Sequence, residues 1–123
     1  MKALLVVAHG SRREQSNTEI KELAQRIAAQ AGQDFDLVEC AFLELADPLI
    51  PDGLKSLASQ GAKTIRVLPY FLAAGTHVAS DIPSEVEKGK AELNDVDVEI
   101  LPYLGTHSEL PSLMLSLARS ESN

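Results

Sequence analysis

The stretch Lys2-Ala3-Leu4-Leu5-Val6-Val7-Ala8, broken at once by His9-Gly10-Ser11-Arg12, decides how the rest of the chain is read. Beyond Lys2 the run is apolar at every position rather than at every second one. A strand of that kind is covered on both faces, as in the middle of a parallel sheet. The run is far short of the roughly 20 apolar residues that cross a bilayer, and it ends in a polar turn rather than a signal-peptide cleavage site. A helical pattern follows: Ile20, Leu23, Ala24, Ile27 and Ala28 recur at helical period. Ser16 and Glu19 are spaced as a capping box, and Gly32 suits the stop.

The alternation then repeats. A second strand is expected at about Asp36 to Phe42, with Val38, Cys40 and Phe42 on one face. A second helix starts near Asp47-Pro48 or Pro51, carries Ile50, Leu54, Leu57 and Ala58, and ends at Gly61. The third strand, Thr64 to Leu68, runs into Pro69-Tyr70-Phe71-Leu72. A third helix begins between Thr76 and Asp81 and reaches about Leu93, with Pro83 tolerated near its first turn. In the fourth strand, Val96 to Leu101, Val96, Val98 and Ile100 alternate with Asp97 and Glu99, as on a sheet edge. A last helix spans about Ser108 to Arg119, and Ser120 to Asn123 are expected to fray. This order predicts a single α/β domain over residues 1–123, with a doubly wound four-stranded parallel sheet. Right-handed crossovers favour the strand order 2-1-3-4.

Composition narrows the function classes. The apolar share of 45% and charged share of 24% are those of an ordinary soluble globular domain. A net charge of −7 leaves no basic surface for nucleic acid, so that partner is not expected. A polyanionic substrate would have to meet local cations such as Arg12 and Arg13. The single cysteine, Cys40, excludes an internal disulfide and any multi-cysteine metal site. These features together point to a cytoplasmic protein with no membrane role.

The three histidines each follow a predicted strand: His9 the first, His77 the third, His107 the fourth. Glu44 takes the matching place after the second. Open α/β sheets bind ligands in the crevice beyond those strand ends. If the first and third strands are neighbours, about 4.8 Å apart, two imidazoles leaving them can share one ion at metal–nitrogen distances of roughly 2.1 Å. Imidazole with carboxylate suits first-row divalent metals, cobalt and iron included. A site with so few ligands stays open, which suits a metal being handed on. Ala73-Ala74-Gly75 before Thr76-His77 allows a flat ligand to approach the backbone, and Tyr70, Phe71 and Leu72 offer an apolar wall or else ordinary core. After the first strand there is neither a dinucleotide glycine fingerprint nor a P-loop, and the chain has no nucleophile elbow. No organic cofactor is expected.

Four motifs carry a family resemblance: His9-Gly10-Ser11-Arg12; Phe42-Leu43-Glu44 before Pro48; Pro69 through His77, continuing to Asp81-Ile82-Pro83; and Leu104-Gly105-Thr106-His107. Together they resemble the short form of the sirohydrochlorin chelatases, the class II chelatases. The resemblance implies a lyase that inserts cobalt or iron into sirohydrochlorin without ATP, in cobalamin or siroheme biosynthesis. It implies His9 and His77 as the metal-binding and catalytic pair, with Glu44 as an acidic metal position. The substrate would meet Ser11, Arg12, Phe71, Leu72, Ala73, Ala74, Gly75, Thr76 and His107. Longer members of the family join two such domains around a cleft, so a homodimer is implied for a chain of this length. The competing reading is a non-catalytic carrier of metal or tetrapyrrole. The choice of metal and of tetrapyrrole, and which histidine ligates and which accepts protons, stay open.

Overall fold

A computed structural model describes residues 1–119; the expectation for Ser120 to Asn123 falls outside the described residues. The elements run β1 (Lys2–Ala8), α1 (Glu14–Ala31), β2 (Leu37–Phe42), α2 (Ile50–Ser59), β3 (Thr64–Pro69), α3 (Ile82–Lys90), β4 (Asp97–Ile100) and α4 (Leu110–Arg119). A π-helical turn at His77–Asp81 leads into α3, and a 3₁₀ turn at Leu104–Thr106 precedes α4. The strands form one parallel sheet in the order β2-β1-β3-β4, the order expected from the sequence.

β1 is buried from Ala3 through Ala8, which explains its unbroken apolar character. Ala3, Leu5 and Val7 pack with Ile50, Leu54 and Leu57 of α2 and with Ile82 and Val86 of α3. Leu4, Val6 and Ala8 face the other way, onto Ala24 of α1, with Cys40 and Phe42 of β2 beside them. Helices thus cover both faces of the sheet. Burial pushes the Cys40 thiol pKa up, so the lone cysteine is a neutral core side chain. β4 is short and mostly exposed, as an edge strand is.

Several boundaries depart from the sequence pattern. The helix after β1 starts at Glu14, so Ser16 lies inside it and the Ser16–Glu19 capping box does not form. Ser11 Oγ instead accepts a hydrogen bond from the Arg13 backbone N–H at 3.0 Å. The third helix ends at Lys90 rather than near Leu93, because Ala91 is already its cap. The last helix starts at Leu110, since residues 104–106 wind first into the tighter 3₁₀ turn. Among the described residues no helix is long and apolar enough to cross a membrane.

Candidate active site

Register brings the site together. Ala8 is paired with Phe42 in β2, and Val7 with Pro69 in β3. The pairing continues past the strand ends: Leu43 N–H donates to Ala8 O at 2.9 Å, Glu44 N–H to His9 O at 3.1 Å, and Tyr70 N–H to Val7 O at 2.8 Å. The residues just beyond three neighbouring strands are therefore held at one edge. Gly10 makes the closest approach, with φ +95° and a backbone so near the Glu44 carbonyl that a Cβ there would lie 1.7 Å from its oxygen. Leu45, next to Glu44, holds a left-handed φ of 67°. That conformation costs a non-glycine residue about 1–2 kcal/mol, and it turns the chain away immediately after the carboxylate.

His9 and His77 meet at this edge, with ring centroids 4.6 Å apart and planes tilted by 59°. His9 Nε2 lies 2.9 Å from Glu44 Oε2, and His9 Nδ1 lies 3.0 Å from the Gly10 carbonyl oxygen. His77 Nδ1 lies 2.9 Å from Asp81 Oδ2. All four side chains are partly open to solvent. Among the described residues no three histidine, cysteine or acidic side chains are arranged to close on one ion. Two imidazoles in contact, each with a carboxylate beside it and all partly exposed, offer nitrogen and oxygen donors of the kind that first-row divalent ions take.

Two cavities flank the pair. One, of about 260 Å³, is lined by Leu43, Glu44, His77, Asp81, Ser84 and Glu85 and is acidic. The other, of about 450 Å³, runs from His9 and Ser11 past Ile20 and Phe42 to Tyr70, Phe71 and Leu72. Ala73, Ala74, Gly75 and Thr76 are exposed between Leu72 and His77, and no atom lies within 4 Å of where a Gly75 Cβ would be. Arg12 is exposed and makes no ion pair among the described residues. His107 is not brought to the pair's cavities: its Nδ1 accepts the Glu109 N–H at 3.0 Å, and it lines a separate groove with Leu104, Leu110 and Leu113.

Two residues missed by the sequence reading support the histidines. Asp81 was legible as the residue four after His77, a spacing that puts both on one helical face. Asn17 had no local signal. Among the described residues it is the buried polar side chain, with its amide clamped on the backbone of Ser11. Oδ1 accepts Ser11 N–H at 3.0 Å and Nδ2 donates to Ser11 O at 2.8 Å, which fixes the turn that carries His9. Asn17→Ala leaves both groups without partners. The variant is expected to lose about 1–3 kcal/mol of stability in chemical denaturation, and an unchanged midpoint would show that the clamp contributes nothing.

Known proteins of similar sequence and fold identify the family of the chain. The CbiX family model matches residues 3–121. A sirohydrochlorin cobaltochelatase of Sulfurisphaera tokodaii is 35% identical over 114 residues, 93% of this chain and 88% of that one. The chloroplastic sirohydrochlorin ferrochelatase of Arabidopsis thaliana is 36% identical over 107 residues, 87% of this chain and 47% of the relative. The chain thus spans about half the length of that longer relative. Among solved structures, SirB from Bacillus subtilis with Fe3+ superposes with a TM-score of 0.84 at 28% identity, covering 94% of this chain and 45% of SirB. With a family model matching nearly its whole length, the chain belongs to the CbiX family, the sirohydrochlorin chelatases that its motifs resemble.

Proposed function

We propose that this chain inserts a divalent metal, cobalt(II) or iron(II), into sirohydrochlorin, without ATP and in the cytoplasm. The observation that carries the reading is the pair His9 and His77, 4.6 Å apart at the sheet edge, between an acidic cavity and one walled by Tyr70, Phe71 and Leu72. Insertion exchanges the ion's water and protein ligands for ring nitrogens and releases two pyrrole protons. A neutral imidazole can serve either need, as a nitrogen ligand or as a proton acceptor. Glu44, 2.9 Å from His9 Nε2, would join the ion or take a proton from that nitrogen. Arg12 supplies a planar guanidinium for a substrate carboxylate, and the exposed 73–76 loop leaves room for the flat macrocycle.

The test is an insertion panel with cobalt(II), iron(II) and nickel(II) at excess sirohydrochlorin, followed by absorbance. Chelatase action is expected to give many turnovers per protein with at least one of the metals. A single stoichiometric event would instead identify a carrier.

We further propose that the working form is a homodimer. α4 supports this: none of its residues is buried, and Leu113, Met114, Leu115 and Leu117 are 50–77% exposed. An apolar helix left in water in this way costs free energy until another surface covers it. A relative about twice as long carries enough chain for a second such unit. The double variant Leu113→Glu/Met114→Glu is expected to shift the protein from dimer to monomer in light scattering. A wild-type protein that is monomeric at micromolar concentration would end this part of the reading.

A further inference from the structure

Asp81 stands where an acidic residue usually serves its own helix. It is the residue before α3, a position at which aspartate commonly accepts hydrogen bonds from the first backbone N–H groups. Its side chain makes no such bond here. The reason lies in the preceding turn: residues 77–81 are π-helical, and the Ile82 N–H donates back to His77 O, so the α3 entry continues an existing helix rather than starting a new one. The carboxylate turns to His77 instead, with Oδ2 2.9 Å from Nδ1. The lysines nearby are taken elsewhere, Lys88 by Glu85 at 2.8 Å and Lys90 by Glu87 at 3.9 Å. Among the described residues His77 is the ionic partner of Asp81.

A carboxylate accepts and cannot donate, so it pairs with the imidazole nitrogen that bears the proton. In the neutral imidazole this contact favours the proton on Nδ1 and the lone pair on Nε2. Single-turn π segments inside helices recur at functional sites, and histidines that bind metals usually give their other N–H to a carboxylate or a carbonyl. We propose that Asp81 is a positioning residue, which fixes the tautomer and orientation of His77 so that Nε2 is the atom presented to the incoming metal. It acts through His77 and does not itself hold the ion. The inference deepens the chelatase reading and rests on it for the identity of the ion. The tautomer is a property of the protein alone.

The experiment uses the full chain, ¹⁵N-labelled and metal-free, at mildly alkaline pH, with long-range ¹H–¹⁵N correlations of the imidazoles. His77 is expected as the Nδ1-protonated tautomer in the wild type, and Asp81→Ala is expected to lose that preference. Cobalt(II) titrated into the protein without tetrapyrrole should bind about 10–100-fold more weakly to Asp81→Ala. Asp81→Asn keeps an amide oxygen that can accept the same N–H. It is therefore expected to hold the tautomer and to bind cobalt within a few-fold of wild type. An Nε2-protonated His77 in the wild type overturns the proposal, as does an Asp81→Ala variant unchanged in both readouts. A loss of cobalt affinity in Asp81→Asn equal to that in Asp81→Ala would also overturn it, by placing the carboxylate on the metal. If wild type shows the expected tautomer but never accelerates insertion, the chelatase reading fails while the positioning role stands.

Discussion

Replacing either histidine of the pair by alanine is expected to slow metal insertion by at least about 100-fold, the smallest loss typical of removing a group that moves a proton or carries charge in the rate-limiting step. His9 and His77 sit with rings 4.6 Å apart, so neither can act on an ion or a macrocycle without the other in its surroundings. The losses are therefore not expected to add: the double variant should be about as slow as the worse single variant, as in other groups that act as one unit. Both side chains are partly exposed, and thermal unfolding should scarcely change. Full activity in His77→Ala, with a native melting curve, would remove this residue from the chemistry.

Gly10→Ala is expected to have the second largest effect, through the backbone rather than through a functional group. Gly10 has φ +95°, and an added Cβ would come within 1.7 Å of the Glu44 carbonyl oxygen. The side chain cannot be absorbed by a rotamer change, because its neighbour is main chain. The strained φ alone costs on the order of 1–3 kcal/mol, and relief of the clash must push the His9 turn away from Glu44. Loss of both stability and insertion rate should follow. Gly32 separates the two causes: its φ is +60°, yet nothing lies within 4 Å of its Cβ position. Gly32→Ala should therefore lose some stability in a denaturant titration and keep its activity. Equal activity losses in the two variants would show that the close contact at Gly10 has no bearing on the site.

How much of this could be read from residues alone depended on the range of the interaction. The central place of β1 was legible because burial on both faces leaves no polar position in a strand, and β1 has none after Lys2. The meeting of His9 and Glu44 followed from that, since parallel neighbours end together, whereas His77 lies beyond the end of β3 and is brought back by the 70–76 loop. The start of α1 was misread because Ser16 and Glu19 have the spacing of a cap, whereas Ser11 and Asn17 fix the turn through contacts across six residues. Asp81 was named only within the third motif and as a bound of the helix start, although its spacing of four from His77 was there to read. For α4 the sequence pattern gave only the bounds of the helix, and no local pattern reveals that its own domain leaves its leucines uncovered. His107 shares the strand-end position of the other two, but its imidazole is engaged by Glu109 N–H at the start of α4.

The most direct measurement is the initial rate of cobalt(II) insertion into excess sirohydrochlorin, with catalytic amounts of wild-type protein and of the His9→Ala and His77→Ala variants, against the metal alone. Repeated turnover by the wild type, falling to near the protein-free rate in both variants, is the expected result. A wild-type rate equal to that of the metal alone, or a full rate in either variant, would contradict the account.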